Sequence, residues 1–256
     1  MNEKLIQFLN KKVEEYNRPD FIEVDPIFVP HQFSNNPDRE IAGFFSALFA
    51  WGNRKTIINK SLELMRLMDN APYSFCTQHQ EKDRKHLVHF KHRTFNSTDL
   101  FYFLDFLKQH YAQHHSLEDA FIKDWDPKEK NIERGLAGFY RTFFSLPYIP
   151  ERTRKHIATP ERKSACKRLN MYLRWMVRKD KGGVDFGIWK NINQSQLIIP
   201  VDVHVARVAR SLNLISRKQN DWITALELTE TLKELDPADP VKYDFALFAM
   251  GIHEQY

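Results

Sequence analysis

Residues 198–214 read IIPVDVHVARVARSLNL, a stretch that passes from extended chain to helix within a few positions. Pro200 ends an apolar extended stretch, because proline restricts the backbone of the residue before it. Asp202 stands at a helix N-cap position, and Val205 and Ala209 begin one apolar face of the helix that follows. The segment therefore predicts an extended stretch leading into an amphipathic helix capped by Asp202.

Asp202 is the first candidate functional residue. A capping aspartate is common and usually serves only the helix that it begins. A carboxylate fixed at a helix terminus beside a basic surface is also rigid and ionised, which suits it to stabilise positive charge developing on a substrate. Both interpretations of Asp202 remain open at this point.

The second informative segment, residues 163–178, reads KSACKRLNMYLRWMVR. On a helical wheel its apolar side chains share one face, and Lys163, Lys167, Arg174 and Arg178 share the opposite face. Lys167 lies near the predicted helix start, where the helix dipole and neighbouring cations disfavour one more positive charge. We expect its amine to lose a proton readily, as a nucleophile must. Alternatively, Lys167 is a surface lysine in a row that binds phosphates.

Positive charge is concentrated around this segment. The formal net charge of the 256 residues is +5, but residues 151–181 alone carry eleven basic and three acidic side chains. The rest of the chain is therefore slightly acidic. Such a local excess attracts a polyanion, for example a nucleic acid, although a solvated helix face is the alternative interpretation.

Helical periodicity dominates elsewhere and predicts an all-α protein. Apolar residues recur at helical spacing in residues 5–13, 39–51, 56–68, 98–111 and 131–146. Asp38 is placed to cap the second of these helices, and Gly52-Asn53 predicts a turn between the second and third. Residues 70–98 allow no assignment, and neither an internal repeat nor a Gly/Ser linker divides the chain.

Composition excludes several classes of protein and site. Hydrophobic residues make up 42% of the chain and aromatic residues 13%, which excludes a disordered or fibrous protein. The two cysteines, Cys76 and Cys166, are too few for a four-thiolate site, so neither a metal nor a cofactor is expected. The longest apolar run, 41–51, is too short to span a bilayer, and the charged start lacks a signal-peptide pattern. The expected location is the cytoplasm.

Two stretches resemble the helix-hairpin-helix DNA glycosylases, the superfamily of endonuclease III and archaeal 8-oxoguanine glycosylase. Residues 200–208, PVDVHVARV, look like the signature whose aspartate is catalytic, and residues 167–173, KRLNMYL, are similar to the stretch that begins with the Schiff-base lysine. Residues 40–55 occupy the place of the early helix-turn-helix that approaches the DNA, and residues 243–251 look like the closing helix. The whole chain also resembles an uncharacterised bacterial family, domain of unknown function 2400, through CKRLNMYLRWMVR, VDFGIW, PVDVHVARV and DPADPVKYDFALFAMGI.

The chain departs from the glycosylase pattern in three places. The Gly-Pro-Gly hairpin before the lysine is replaced by residues 160–166, PERKSAC, where lysines and arginines would hold a phosphate instead of backbone amides. The separation of Lys167 and Asp202 is longer than in endonuclease III, as it also is in the archaeal enzyme. No cysteine follows Gly251, so the iron-sulfur cluster that some members carry there is not expected.

The glycosylase resemblance implies a two-lobed, all-α enzyme that excises a damaged base. Residues 70–200 would form a helical-barrel lobe, and residues 1–69 and 201–256 a second lobe, within one unit of the whole chain. Lys167 would attack the deoxyribose of an extruded nucleotide, with an oxidised purine as the substrate class considered. Asp202 would stabilise the oxocarbenium-like charge as the base departs. A Schiff base would then permit strand cleavage, the AP-lyase reaction.

The remaining candidate site residues follow from the same resemblance. DNA is the expected partner, and no metal, iron-sulfur cluster or membrane is expected. Its contacts are expected from Lys163, Arg168, Arg174, Arg178, Asn53, Arg54, Lys55, His204 and Arg207. The base pocket is expected to include Trp51, Trp175 and Trp189, each of which is alternatively a core residue. Asp185 and Asp244 either line the site or serve as ordinary caps or surface groups.

Two other functions remain open. The same fold could bind DNA or RNA through phosphates without cleaving a bond, and the basic surface could instead meet an acidic protein. Catalysis imposes a geometric requirement, because a nucleophile and its stabiliser must share one reacting centre. We therefore expect the Lys167 amine and the Asp202 carboxylate to face one cleft, within about 10 Å of each other.

Overall fold

A computed structural model describes residues 3–179 and 182–253 of the chain. These residues are mostly helical, which confirms the all-α class, and their strands form one short antiparallel hairpin. The helices are α1 (Glu3–Tyr16), α2 (Asp20–Val24), α3 (Phe28–His31), α4 (Asn36–Leu48), α5 (Arg54–Leu67), α6 (Pro72–Gln78), α7 (Ser97–Tyr111), α8 (Glu118–Ile122), α9 (Glu133–Phe143), α10 (Lys167–Val177), α11 (Val203–Ser211), α12 (Trp222–Lys233) and α13 (Tyr243–His253). The strands are β1 (Lys91–His92) and β2 (Phe95–Asn96).

Helix α4 lies in the core and buries most of its apolar side chains. The expected cap was wrong: Asn35, not Asp38, caps the helix, and the Asn35 side chain accepts the Asp38 amide. The helix begins earlier than expected because Pro37 is tolerated in a first turn, where its missing amide proton has no intrahelical partner. Asp38 instead accepts the amide of Tyr73 and so joins α4 to α6.

A buried carboxylate ties α4 to distant segments. Glu40 is 3% exposed and accepts hydrogen bonds from the Tyr111 hydroxyl, the Ser116 hydroxyl, the Leu117 amide and the Trp189 indole. Burial raises the pKa of Glu40, although these donors favour its ionised form. The carboxylate therefore holds together α4, the end of α7 and the chain between α10 and α11.

Helix α10 packs directly against α4. Gly43 permits the close approach, because a Cβ at this position would lie 2.6 Å from the terminal methyl of Met176 and 3.3 Å from the ring of Tyr172. The Tyr172 hydroxyl donates to the backbone carbonyl of Glu40, and the Arg168 guanidinium donates to the carbonyl of Leu48. The first turn of α10 therefore lies beside the last turn of α4.

Helix α13 contacts both α1 and α11. A Cβ on Gly251 would lie 2.9 Å from the Cβ of His204, so a glycine is needed where α13 crosses α11. The Gly251 carbonyl oxygen lies 3.1 Å from His204 Nδ1 and accepts a hydrogen bond from Arg207. These contacts fix the first turn of α11, which Asp202 caps.

Residues 70–98, which the sequence left unassigned, contain α6, a 3₁₀ helix over Glu81–Leu87 and the β1–β2 hairpin. Within the described part of the chain, no helix has both the length and the apolar character needed to cross a membrane. The division into lobes at residues 70 and 200 stays a prediction.

Candidate active site

A cleft of about 880 Å³ lies where several helix ends converge. Its walls come from the turn between α4 and α5, the first turns of α10 and α11, helix α13 and the segment that follows α2. Lys167 and Asp202 both line the cleft. The fold thus brings together the two sequence segments from which a site was expected.

The Lys167 amine and the Asp202 carboxylate form an ion pair inside this cleft. Asp202 Oδ1 accepts the amides of His204 and Val205, which confirms the predicted N-cap. Asp202 Oδ2 lies 3.7 Å from Lys167 Nζ, and the two side chains keep 20% and 27% of their surface exposed. The geometric expectation is therefore met, and a ligand in the cleft can reach both groups. Their catalytic roles stay predictions.

A tight turn places Lys167 at the start of α10. Lys163 and Cys166 both adopt left-handed backbone angles, with φ of 58° and 49°. The Lys163 carbonyl accepts the amide of Trp222, which ties the turn to α12. The helical-wheel prediction that Lys163 lies on the same helix as Lys167 was wrong, because the helix begins only after this turn. Lys163 is nevertheless exposed.

The predicted cationic face of α10 is largely buried rather than exposed to solvent. Arg174 and Arg178 are only 3% and 2% exposed, so neither lies on an open surface that binds a DNA backbone, although Arg174 lines the cleft. Arg174 pairs with Asp185 and Asp244, and Arg178 pairs with Asp185 and Asp239. A helical wheel cannot show this arrangement, because the carboxylates that cover the basic face lie outside the helix, Asp185 in the segment after α10 and the other two about 60 to 70 residues further on. Asp185 therefore serves as an internal partner of arginines.

Arg168 and Trp51 form one wall of the cleft. The Arg168 guanidinium donates to the carbonyl of Leu48 and lies 4.8 Å from the centre of the Trp51 ring. Burial lowers the pKa of Arg168 to about 10. Trp175 and Trp189 do not line the cleft, so their placement in a base pocket was wrong. They are 0% and 3% exposed, and large apolar rings of this kind fill the core.

The other predicted DNA contacts lie on or beside the cleft. Asn53 caps α5 by accepting the Thr56 amide and remains exposed, as does Lys55. Arg54 lies against the ring of Phe248, with 4.7 Å between guanidinium carbon and ring centre. His204 and Arg207 are engaged with the Gly251 carbonyl.

Sequence reasoning missed Phe21, Asp25 and Phe248, which all line the cleft. Phe248 lies one helical turn after Asp244, another lining residue, and this i, i+4 spacing was the available signal. Burial raises the pKa of Asp244 to about 6 despite the nearby Arg174. Burial also raises the pKa of Asp25, whose Oδ1 accepts the amide of Ile27.

No group of three or more histidine, cysteine or acidic side chains within residues 3–179 and 182–253 is arranged to hold a metal ion. The side chains in the cleft that could ligate a metal are the carboxylates of Asp25, Asp202 and Asp244 and the imidazole of His204, and the cations Lys167 and Arg174 lie among them. The cleft thus presents an amine, carboxyl groups, an imidazole, guanidinium groups and aromatic faces.

Residues 25–253 match a protein family described as "protein of unknown function (DUF2400)". The chain belongs to this family. No curated protein and no solved structure matches the chain. Membership of the DUF2400 family is thus confirmed, whereas the kinship with helix-hairpin-helix glycosylases remains a hypothesis.

Proposed function

We propose that this DUF2400 protein is a DNA glycosylase that excises a damaged base with Lys167 as nucleophile and Asp202 as its electrostatic partner. One observation carries the proposal: the lysine amine lies 3.7 Å from the aspartate carboxylate inside a cleft of about 880 Å³. A functional cleft generally has a volume of about 300–1,000 Å³. The observed volume therefore suits a single extruded nucleotide.

The lining of the cleft also suits a nucleobase. Phe21, Trp51 and Phe248 present aromatic side chains to it, and enzymes that act on an extruded base commonly hold it by stacking on such rings. Asp25 and Asp244 supply carboxyl groups able to accept, or when protonated to donate, hydrogen bonds. A purine edge offers amino and imino donors to such groups.

The chemistry needs few groups. The Lys167 ammonium first releases a proton to solvent, and the neutral amine then attacks C1′ of the deoxyribose. The bond from C1′ to the base breaks, and the base leaves with the bonding electrons and takes up the proton that the newly formed ammonium on C1′ releases. Asp202, ionised and fixed by two backbone amides, stabilises the positive charge that develops on the sugar. Ring opening of the aminosugar yields a Schiff base, from which β-elimination cleaves the strand. Without that last step the enzyme is a glycosylase alone.

Borohydride trapping tests the proposal. Duplexes carrying an abasic site or 8-oxoguanine are incubated with the protein and sodium borohydride, which reduces a Schiff base to a stable adduct. We expect an adduct with the unaltered chain and none with Lys167→Ala. Lys167→Arg, which keeps a cation beside Asp202, should fold normally and also form no adduct, because a guanidinium is not deprotonated near neutral pH. Salt-sensitive DNA binding with neither adduct nor base release would instead show a binding module, and equal trapping by Lys167→Arg would exclude this nucleophile.

A further inference from the structure

The β1–β2 hairpin, residues 91–96, lies outside the motifs that suggested a function. Its side chains differ sharply in exposure: His92 and Phe95 are buried, whereas Lys91 and Arg93 are exposed. Arg93 begins the turn with a left-handed φ of 54°. The hairpin therefore turns two rings inward and presents two cations outward.

The buried rings dock the hairpin behind the wall of the cleft. His92 Nε2 lies 3.1 Å from the carbonyl oxygen of Phe49, and the His92 and Trp51 ring centres are 5.6 Å apart. The Phe95 ring packs against the Phe49 ring, with 5.2 Å between centres. Because Trp51 lines the cleft, these contacts fix the hairpin relative to it.

Arg93 lies across the rim of the same cleft. Its guanidinium carbon is 2.9 Å from the point that a Cβ on Gly52 would occupy, and Gly52 lines the cleft. The glycine, with φ of 100°, leaves room for the guanidinium. Arg152 donates to the Thr94 carbonyl at 2.7 Å and so fixes the turn from the other side.

Lys91 and Arg93 differ from the neighbouring Arg152 in the groups with which their charges pair. Within residues 3–179 and 182–253, neither Lys91 nor Arg93 pairs with a carboxylate. Arg152, in contrast, contacts the buried carboxylate of Asp99 at 3.2 Å. Lys55, three residues after Gly52 in the chain, is also exposed. An unpaired guanidinium at the edge of a cleft, with an exposed lysine two residues before it on the same hairpin, favours an anion that binds beside the cleft.

We propose that the β1–β2 hairpin is a phosphate clamp: Lys91 and Arg93 bind backbone phosphates of duplex DNA beside the nucleotide that enters the cleft. The inference rests on the proposed function, since it requires DNA at this cleft. A guanidinium binds two phosphate oxygens in parallel. The anchored hairpin also loses little conformational freedom on binding, which favours affinity.

Salt-dependent binding tests the clamp. Fluorescence anisotropy with a duplex carrying a stable abasic analogue is measured between about 50 and 200 mM salt. The Lys91→Gln/Arg93→Gln double variant should bind more weakly, and the slope of log K against log salt should fall in magnitude by about 1 to 2, since each lost phosphate contact removes about one unit. Both positions are exposed, and Arg93→Gln keeps the same backbone demand, so folding should be unaffected.

Lys123→Gln/Lys128→Gln is the matched control, because it removes two exposed cations from a segment that contributes no residue to the cleft, whereas the hairpin contacts the cleft-lining Trp51 and Gly52. Its slope should equal that of the unaltered chain.

Equal salt slopes for the hairpin variant and the control variant, when the unaltered chain binds the duplex, would overturn the clamp and leave the glycosylase proposal standing. If the unaltered chain shows no salt-dependent binding to the duplex, both proposals fall. DNA binding tests the clamp, and borohydride trapping tests the chemistry of Lys167. If the unaltered chain forms no adduct but the hairpin double variant shows a reduced salt slope, the Lys167 chemistry is overturned and the clamp is supported.

Discussion

Asp202 uses its two carboxylate oxygens for different tasks, and substitutions can separate them. Oδ1 caps α11, and Oδ2 faces Lys167. Asp202→Asn keeps a capping oxygen but removes the charge, so we expect the free energy of unfolding to stay within about 1 kcal/mol of wild type. Trapping on the 8-oxoguanine duplex, which requires the base to depart, should be lost, and this duplex is the one used for both Asp202 variants. Asp202→Ala should lose trapping and a further ~1 kcal/mol from the missing cap. Urea unfolding and trapping on the same preparations measure both, and full trapping by Asp202→Asn would contradict a role for the charge.

The buried carboxyl group of Asp244 should make the free energy of unfolding depend on pH. Its pKa of about 6 lies above the ordinary 3.8 because the carboxyl is buried. The folded chain therefore binds this proton more tightly than the unfolded chain does. As a result, the contribution of Asp244 to the free energy of unfolding falls as the pH rises from about 4 to about 6. The fall is on the order of 3 kcal/mol. Asp244→Asn removes this titration, so wild type should become less stable relative to the variant across that interval. Urea unfolding at several pH values checks it, and parallel curves would show that Asp244 does not titrate there.

Elements that follow from local sequence were predicted well, and those that depend on distant partners were not. The N-cap of α11 follows from Asp202 and the apolar spacing after it. The hairpin was missed because each strand has two residues, too few for an alternating pattern to stand out. The burial of Arg174 and Arg178 was missed because their carboxylate partners lie on other segments of the chain. The meeting of Lys167 with Asp202 came from the family resemblance, since no local rule joins α10 to α11.

At the scale of the whole molecule, the basic side chains described within residues 151–181 include a buried group and an exposed group. Residues 151–181 hold a large excess of basic side chains, yet Arg174 and Arg178 neutralise buried aspartates. The exposed cations instead lie at separate positions, such as Lys163 before α10 and Lys55 in the first turn of α5. The charge that a polyanion meets is thus smaller than the sequence indicates, and it is set by where the fold leaves cations unpaired.

This division can be measured with one residue from each group. Lys163→Gln should leave the free energy of unfolding nearly unchanged and lower the salt slope of DNA binding by about 1, since it removes one exposed cation. Arg178→Gln should leave that slope unchanged, because Arg178 is 2% exposed. It should instead cost about 3–5 kcal/mol in the free energy of unfolding, because Asp185 and Asp239 would lose a buried partner. A reduced salt slope for Arg178→Gln under conditions where the variant remains folded would contradict its internal role and return the basic face of α10 to the DNA-binding surface.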